Sequence, residues 1–395
     1  MTLPTTTPST ARLERLLSYI ERDATNLKLR KDAVREAIDT GQWGTARELI
    51  DAGLQAEPAE ADLLALSGFA YLQAQHYGDA EQALLAALAR GVNAPDLRYN
   101  IAFADFMQRR YAEALEWLTP PDVAQALPLA LTLRARCLHH LGRPLEAIAD
   151  CKARLIATPD DADTLGLVAL LLYEQRQSDD AMENLKAALR QNPRQLEAML
   201  ALASIQADAQ DPEAASASFQ SLLQAHPQCG RGWLGLALLK LGRMRPDEAR
   251  HDIEFAAEHL PEHIGTWHVL AWVQIMQGDV AGAEQAFERA LVLDRNFGET
   301  HGGLAVIAAL QGREDDAREG IRRALRLNPQ GLSAHHAELL LLKRHGRDAE
   351  AKALVESVLE QPTPQGDMRY RDLVAVHMKY LEAQAAQPSG GVVLH

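Results

Sequence analysis

The sequence predicts an all-α chain of about ten stacked helical hairpins, on three observations. Alanine recurs in phase, a second small residue recurs twelve positions before it, and a proline recurs twelve positions after it. The alanines are Ala46, Ala80, Ala114, Ala147, Ala181, Ala215, Ala249, Ala283, Ala317 and Ala351, 34 residues apart except for one step of 33 between Ala114 and Ala147. The earlier position holds Gly68, Ala102, Ala135, Ala169, Ala203, Ala237, Ala271 and Ala305, and breaks only at the ends, with Val34 and Leu339. The later position holds Pro58, Pro159, Pro193, Pro227, Pro261 and Pro329. Val92 and Arg295 are exceptions, and Thr363 sits between Pro362 and Pro364.

Each phase has a mechanical reason. Two small residues let paired helices approach closely, and a larger side chain there would overpack the contact by roughly 1–3 kcal/mol. Proline cannot continue a helix, so it ends the second helix and starts the link to the next hairpin. The clearest unit runs from Ile264 to Phe297. Trp267, Leu270, Ala271 and Val273 fall at helical spacing, Gly278-Asp279 interrupts, and Ala283, Phe287, Ala290 and Leu291 resume the period. Neither helix can bury its apolar stripe alone, so each needs the neighbour that the repeat supplies.

These residues resemble the tetratricopeptide repeat family. Its pattern is matched best by Trp267, Leu270, Ala271, Ala283, Phe287 and Ala290, and nearly as well by Trp233, Leu236, Ala237, Ala249, Ala256 and Pro261. The resemblance covers residues 27–365 and implies a right-handed superhelix, an α-solenoid whose core extends linearly with repeat number.

Composition agrees with helices throughout: aromatics are 5% of the chain, and no strand-like alternation appears. The net charge of −14 argues against nucleic acid as a partner. Cys137, Cys151 and Cys229 show no paired spacing, which points to a reducing compartment. The first ten residues lack a basic segment with an apolar core, and no stretch approaches the length of a membrane span. Cytoplasm is the expected location.

Taken in order, residues 1–9 are rich in Thr, Pro and Ser and are expected to be disordered. Residues 10–26 carry Leu13, Leu16, Leu17 and Ile20 on one helical face and should cap the first repeat, with a partner-binding amphipathic helix as the alternative. Ten repeats then fill 27–365. The first is the most divergent. In the third, Thr119-Pro120-Pro121 must cut the second helix short, so 119–127 should be irregular, as a rigid kink or a hinge. A last amphipathic helix over 366–387, with Leu373, Val374, Val376, Met378 and Leu381, reads as the C-terminal cap, and 388–395 as a flexible tail.

No catalytic or metal constellation emerges. His139-His140 and His335-His336 are adjacent pairs whose side chains diverge on a helix, and Pro261 separates His259 from His263. There is no HExxH, no phosphate-binding glycine loop and no paired-cysteine motif. No cofactor or metal is expected, and the chain should not be an enzyme.

The resemblance implies instead that the first helix of each repeat lines a concave groove. Its groove positions map here to Phe69 and Leu72, then to Tyr99, Asn100, Phe103 and Phe106, then to Arg136, His139 and His140, and to Leu170 and Tyr173. Further on they map to Leu200, Leu234, Leu238, His268, Trp272, Ile275 and Val306. Aromatics and arginine on a rigid concave face are the usual anchors for a peptide or helix, although the same residues can simply pack between repeats. Two known uses of such grooves fit poorly. A carboxylate clamp would need asparagine where Leu66 stands and lysine where Asp96 stands. An asparagine ladder at the sixth position of each repeat is met only by Asn100. The expected function is therefore a scaffold or chaperone-like adaptor holding a segment of another protein. The alternative is a regulatory or targeting subunit of a separate enzyme, contacted by its convex face or its ends.

Overall fold

The computed structural model describes residues 8–363, 368–376 and 378. Of the stretch 1–9 expected to be disordered, residues 1–7 lie outside the described residues, as do the tail 388–395 and Leu381, whereas Pro8 and Ser9 already belong to the first helix. Apart from one isolated bridge between Pro362 and Arg369, the regular structure among the described residues is helical. After α1 (Pro8–Arg22) the helices alternate as pairs. The first helices are α2 (Leu27–Asp39), α4 (Ala61–Gln73), α6 (Pro95–Met107), α9 (Ala130–His140), α11 (Ala162–Glu174), α13 (Leu196–Asp208), α15 (Gly230–Gly242), α17 (Ile264–Met276), α19 (Gly298–Gln311) and α21 (Leu332–Arg344). Their partners are α3 (Trp43–Ala56), α5 (Tyr77–Ala89), α7 (Tyr111–Leu118), α10 (Pro144–Ala157), α12 (Ser178–Gln191), α14 (Pro212–Ala225), α16 (Pro246–His259), α18 (Val280–Leu293), α20 (Glu314–Leu327) and α22 (Asp348–Leu359). A short α8 (Pro121–Ala126) follows α7. The chain divides into two compact units, residues 1–201 and 202–395, with the boundary inside α13.

The alanine phase is the seam of every pair. All ten alanines, from Ala46 to Ala351, are 0% exposed. Most of the earlier small positions are equally closed; at Gly68 a Cβ would lie 2.4 Å from Leu84 Cγ. Each proline of the third phase sits just past the second helix, and the next first helix can bond back to it. Trp267 Nε1 donates to the Pro261 carbonyl at 2.9 Å, and Trp233 Nε1 donates to Pro227 at 2.8 Å. His301 sits in the same phase, its Nε2 2.8 Å from the carbonyl of Arg295.

A further period lies in the turn inside each pair. The backbone there is left-handed at Gly41, Gln75, Arg109, Gly142, Arg176, Gln210, Met244, Gly278, Gly312 and Gly346, all with φ between 57° and 80°. Half of these residues are not glycine and hold this conformation at a cost.

The third pair departs from the others. α7 stops at Leu118, and Pro121 opens α8, whose Val123 is buried with Leu118, Ala130 and Leu133. Arg98 on α6 holds Asp122 at 3.0 Å. The prolines thus shorten one helix and start another, and the inserted turn is packed and ion-paired.

Candidate partner-binding surface

Within residues 1–201, neighbouring first helices touch: α2 with α4, α4 with α6, α6 with α9 and α9 with α11. Neighbouring second helices make no comparable contact among the described residues. Rows that close up on one side and spread on the other must curve, so the first helices form the concave face of this unit. In residues 202–395 α15 touches α17 and α19 touches α21, whereas α17 and α19 make no comparable contact among the described residues.

In the first unit the expected groove positions fall on three first helices: Tyr99, Phe103 and Phe106 on α6, Arg136, His139 and His140 on α9, and Tyr173 on α11. Tyr99, Phe103 and Phe106 are half-buried against one cluster that includes Ala102, Leu133 and Cys137. Burial pushes the Tyr99 hydroxyl up, with the Arg136 charge pulling the other way. Phe106 meets the rings of Tyr111 and His140 edge-on, and those two stack 4.1 Å apart. His139 Nε2 lies 2.7 Å from Glu174 on α11. The hydroxyls of Thr132 and Thr164 meet at 2.7 Å beneath them.

α11 is enclosed on all sides, with Thr164 through Leu172 buried. Arg136 on α9 reaches past it to Glu197 on α13, donating from Nη2 at 2.8 Å and from Nε at 3.2 Å. Gln195 donates to the same carboxylate at 2.6 Å while its carbonyl accepts from the Ala198 backbone at 2.7 Å. A Cβ on Gly166 would lie 1.8 Å from that Gln195 oxygen, so the bare glycine is what admits the bridge. α19 is enclosed in the same way in the second unit. There Trp272 on α17 reaches past α19 and stacks on His336 of α21 at 5.5 Å, with Ala305, Val306 and Ala309 in the cluster below.

Two models described as tetratricopeptide repeat match the sequence, one over residues 67–119, 169–228, 200–254 and 234–298, the other over 274–341. Together they cover more than half of the chain. It belongs to the tetratricopeptide repeat family. The solved structures agree on the fold of this tetratricopeptide repeat (TPR) protein. The APC/C hetero-tetramer Cut9–Hcn1 is similar at a TM-score of 0.56 and 14% identity, covering 89% of this chain and 77% of that one. A monomeric IFIT1 mutant with m7Gppp-AAAA is similar at 0.54 and 16%, covering 95% of each chain. Among curated proteins, none matches this TPR chain.

The expected groove residues fall into different surroundings. Tyr99, Phe103 and Phe106 pack on one cluster, while Asn100 on α6, Arg136 and His139 on α9 and Tyr173 on α11 stand on the same or neighbouring first helices, all half-buried. Phe69 stands on α4 with its ring 6.5 Å from Trp43. His268 is held inside the solenoid: its Nε2 is 2.8 Å from the Thr300 hydroxyl, and Phe287 and Phe297 flank it edge-on. Burial pushes its pKa down, so it stays neutral near pH 7. Leu238 is 49% exposed beside an apolar cavity.

Sequence reasoning passed over two features. Trp43, 40% exposed, opens a cleft of about 210 Å³ with Arg47, Ile50, Ser67 and Tyr71. The same position, the first residue of the second helix, is aromatic again at Tyr77 and Tyr111, a short phase confined to the first three repeats. Gln195 carries no signal beyond its place two residues after Pro193. No group of three or more His, Cys, Asp or Glu side chains able to hold a metal ion occurs among the described residues, and no helix there is long and apolar enough to cross a membrane.

Proposed function

We propose that this TPR protein is a non-catalytic cytoplasmic scaffold. It holds a peptide or helical segment of another protein against the concave face of α6, α9 and α11. The TPR family supports protein binding in general. The observation that carries the finer reading is the strip of Tyr99, Phe103, Phe106, Arg136 and His139 on one face. Its side chains are fixed by their neighbours and still partly open to solvent. Prefixed aromatic and arginine groups lose little freedom on binding, which favours them as anchors. The acidic chain favours a protein over RNA, whatever ligand IFIT1 carries, because −14 of net charge repels phosphate.

Among the described residues the most exposed aliphatics on second helices are scattered: Leu145 and Ile156 lie near opposite ends of α10, and Val292 stands beside Leu293 at the end of α18. The test is affinity capture from the source cell with the wild type, Phe103→Ala and Phe106→Ala, each verified by far-UV circular dichroism. Loss of the same partner from both variants supports the groove. A partner retained at wild-type level by folded variants moves the interface to the convex face or the ends.

A further inference from the structure

Residues 370–376, beyond α22, lie on the first-helix side of the second unit. Arg369 and Arg371 both pair with Glu360, and the Tyr370 amide donates to the Gln361 carbonyl at 3.1 Å, so the chain doubles back. Residues 370–376 are helical. Burial, then the nearby charge of Glu299 on α19, pushes the Tyr370 hydroxyl up. Leu373 and Val376 then line a cavity of about 230 Å³ with Ala207 at the end of α13 and Leu238 and Leu239 on α15. The open apolar cleft between α21 and α22, where a cap of the last repeat would lie, is lined by other residues.

We propose that this α13–α15 face is a docking site for an amphipathic helix of a partner protein with aliphatic side chains three residues apart. Residues 370–376 are its resident and displaceable occupant. Leu373 and Val376 have that spacing and lie one above the other on a helix. The fit is incomplete. Leu373 remains 43% exposed and Val376 40%, and Leu238 beneath them stays 49% exposed. A permanently packed helix would bury these side chains, and the unfilled cavity forfeits dispersion contacts that a larger aliphatic would recover. Tethering explains how so loose a contact persists: the turn at Glu360 keeps the segment at high local concentration, so weak contacts suffice within one chain. A partner helix must outbid that tether, which makes the site selective for a better-filling ligand.

This inference rests on reading the first-helix face as the binding surface. The probe is a fluorescein-labelled synthetic peptide of residues 368–384, followed by anisotropy. It is added to the full-length wild type, to L373D/V376D, which unseats the resident segment, and to L373D/V376D/L238D. The unseated protein should bind the peptide at least about tenfold more tightly than the wild type, the advantage the tether gives the resident segment. Adding L238D should abolish binding, with far-UV circular dichroism unchanged; Leu238 is exposed enough to accept the change. Equal affinity for the wild type and the unseated protein, no binding to either, or binding that survives L238D overturns the proposal. A cellular partner still lost on Phe103→Ala would then leave the scaffold reading standing, so the two failures are separable.

Discussion

Arg136 and Glu197 are 61 positions apart and form an ion pair at 2.8 Å that skips an entire repeat. In a solenoid each repeat normally contacts only its neighbours, and folding energy is a sum over adjacent interfaces. This pair couples the fourth and sixth repeats directly. Their side chains are only 29% and 15% exposed, so removing one partner strands a charge that water barely reaches. Arg136→Met or Glu197→Ala should therefore cost about 3 kcal/mol, the scale for breaking a buried pair. Urea denaturation measures it. A double variant, Arg136→Met with Glu197→Leu, should recover much of the loss, because no charge is left unpaired. Equal stability of the wild type and both single variants would show that the bridge contributes nothing.

The same pair gives stability a dependence on pH. Burial alone would push the Glu197 carboxyl up, but the Arg136 charge and its hydrogen bonds outweigh this and hold it below the ordinary 4.5. A depressed carboxylate contributes stability that is fully present above its unfolded value and is lost as pH falls through its native one. The stability gap between the wild type and Glu197→Gln should thus be constant from pH 7 to about 5. It should narrow below that. A gap that widens on acidification would contradict the assignment.

The architecture was legible because its constraint repeats. Every alanine of the main phase ends at 0% exposure, since the same close approach is made in every pair. A 34-residue spacing makes such a constraint visible in one sequence. The surface was less legible, because helical position says which side a residue faces and not what meets it there. His268 and Trp272 sit at groove positions by the same arithmetic as Phe106, yet Thr300 and His336 occupy them. The bridge over α11 depends on Gly166, and the close approach of α19 to α21 on Gly302; these two glycines share one repeat position, but other residues fill it elsewhere, so the phase does not show. The left-handed turn is periodic, yet Gln75, Arg109, Arg176, Gln210 and Met244 hide it, because pattern reading looks for glycine.

Those turn residues offer stabilising changes. Gln75 and Met244 are exposed and have φ of 62° and 57°. A non-glycine residue in this region pays roughly 1–2 kcal/mol, and glycine returns part of the gain through its freer unfolded chain. Gln75→Gly and Met244→Gly should each raise stability by about 0.5–1 kcal/mol on that balance. The converse change, Gly278→Ala at φ 79°, should lower it by a similar amount. Thermal unfolding of the three variants checks both signs.

Thiol accessibility should separate the cysteines. Burial pushes the Cys137 and Cys151 thiols up to about 12, and both side chains are 0% exposed. Neither forms thiolate near neutrality, so both should resist a disulfide reagent in the native state. Cys229 is only partly covered and should react first. Titration at pH 8 should show one fast thiol in the folded protein and three after denaturation; three fast thiols in the folded chain would mean that the interior opens readily.

Gly302 gives the sharpest test of close packing. Alanine in a helix interior is ordinarily worth up to about 1 kcal/mol over glycine. Here the added Cβ would lie 2.7 Å from the Ala334 backbone nitrogen and 2.7 Å from Ser333 Cβ. The conflict is with backbone, so no side chain can swing aside, and α19 and α21 must separate. Glu299 accepts from the Ser333 amide at 3.1 Å and from its hydroxyl, so that capping contact would stretch as the helices part. Overpacking at roughly 1–3 kcal/mol outweighs the propensity gain, and Gly302→Ala should be destabilised by about 1–2 kcal/mol net. Gly44→Ala is the control: a Cβ there meets nothing within 4 Å, so the change should be neutral or stabilising. Chemical denaturation of both variants decides the matter, since propensity alone predicts the same sign for the two and packing predicts opposite signs.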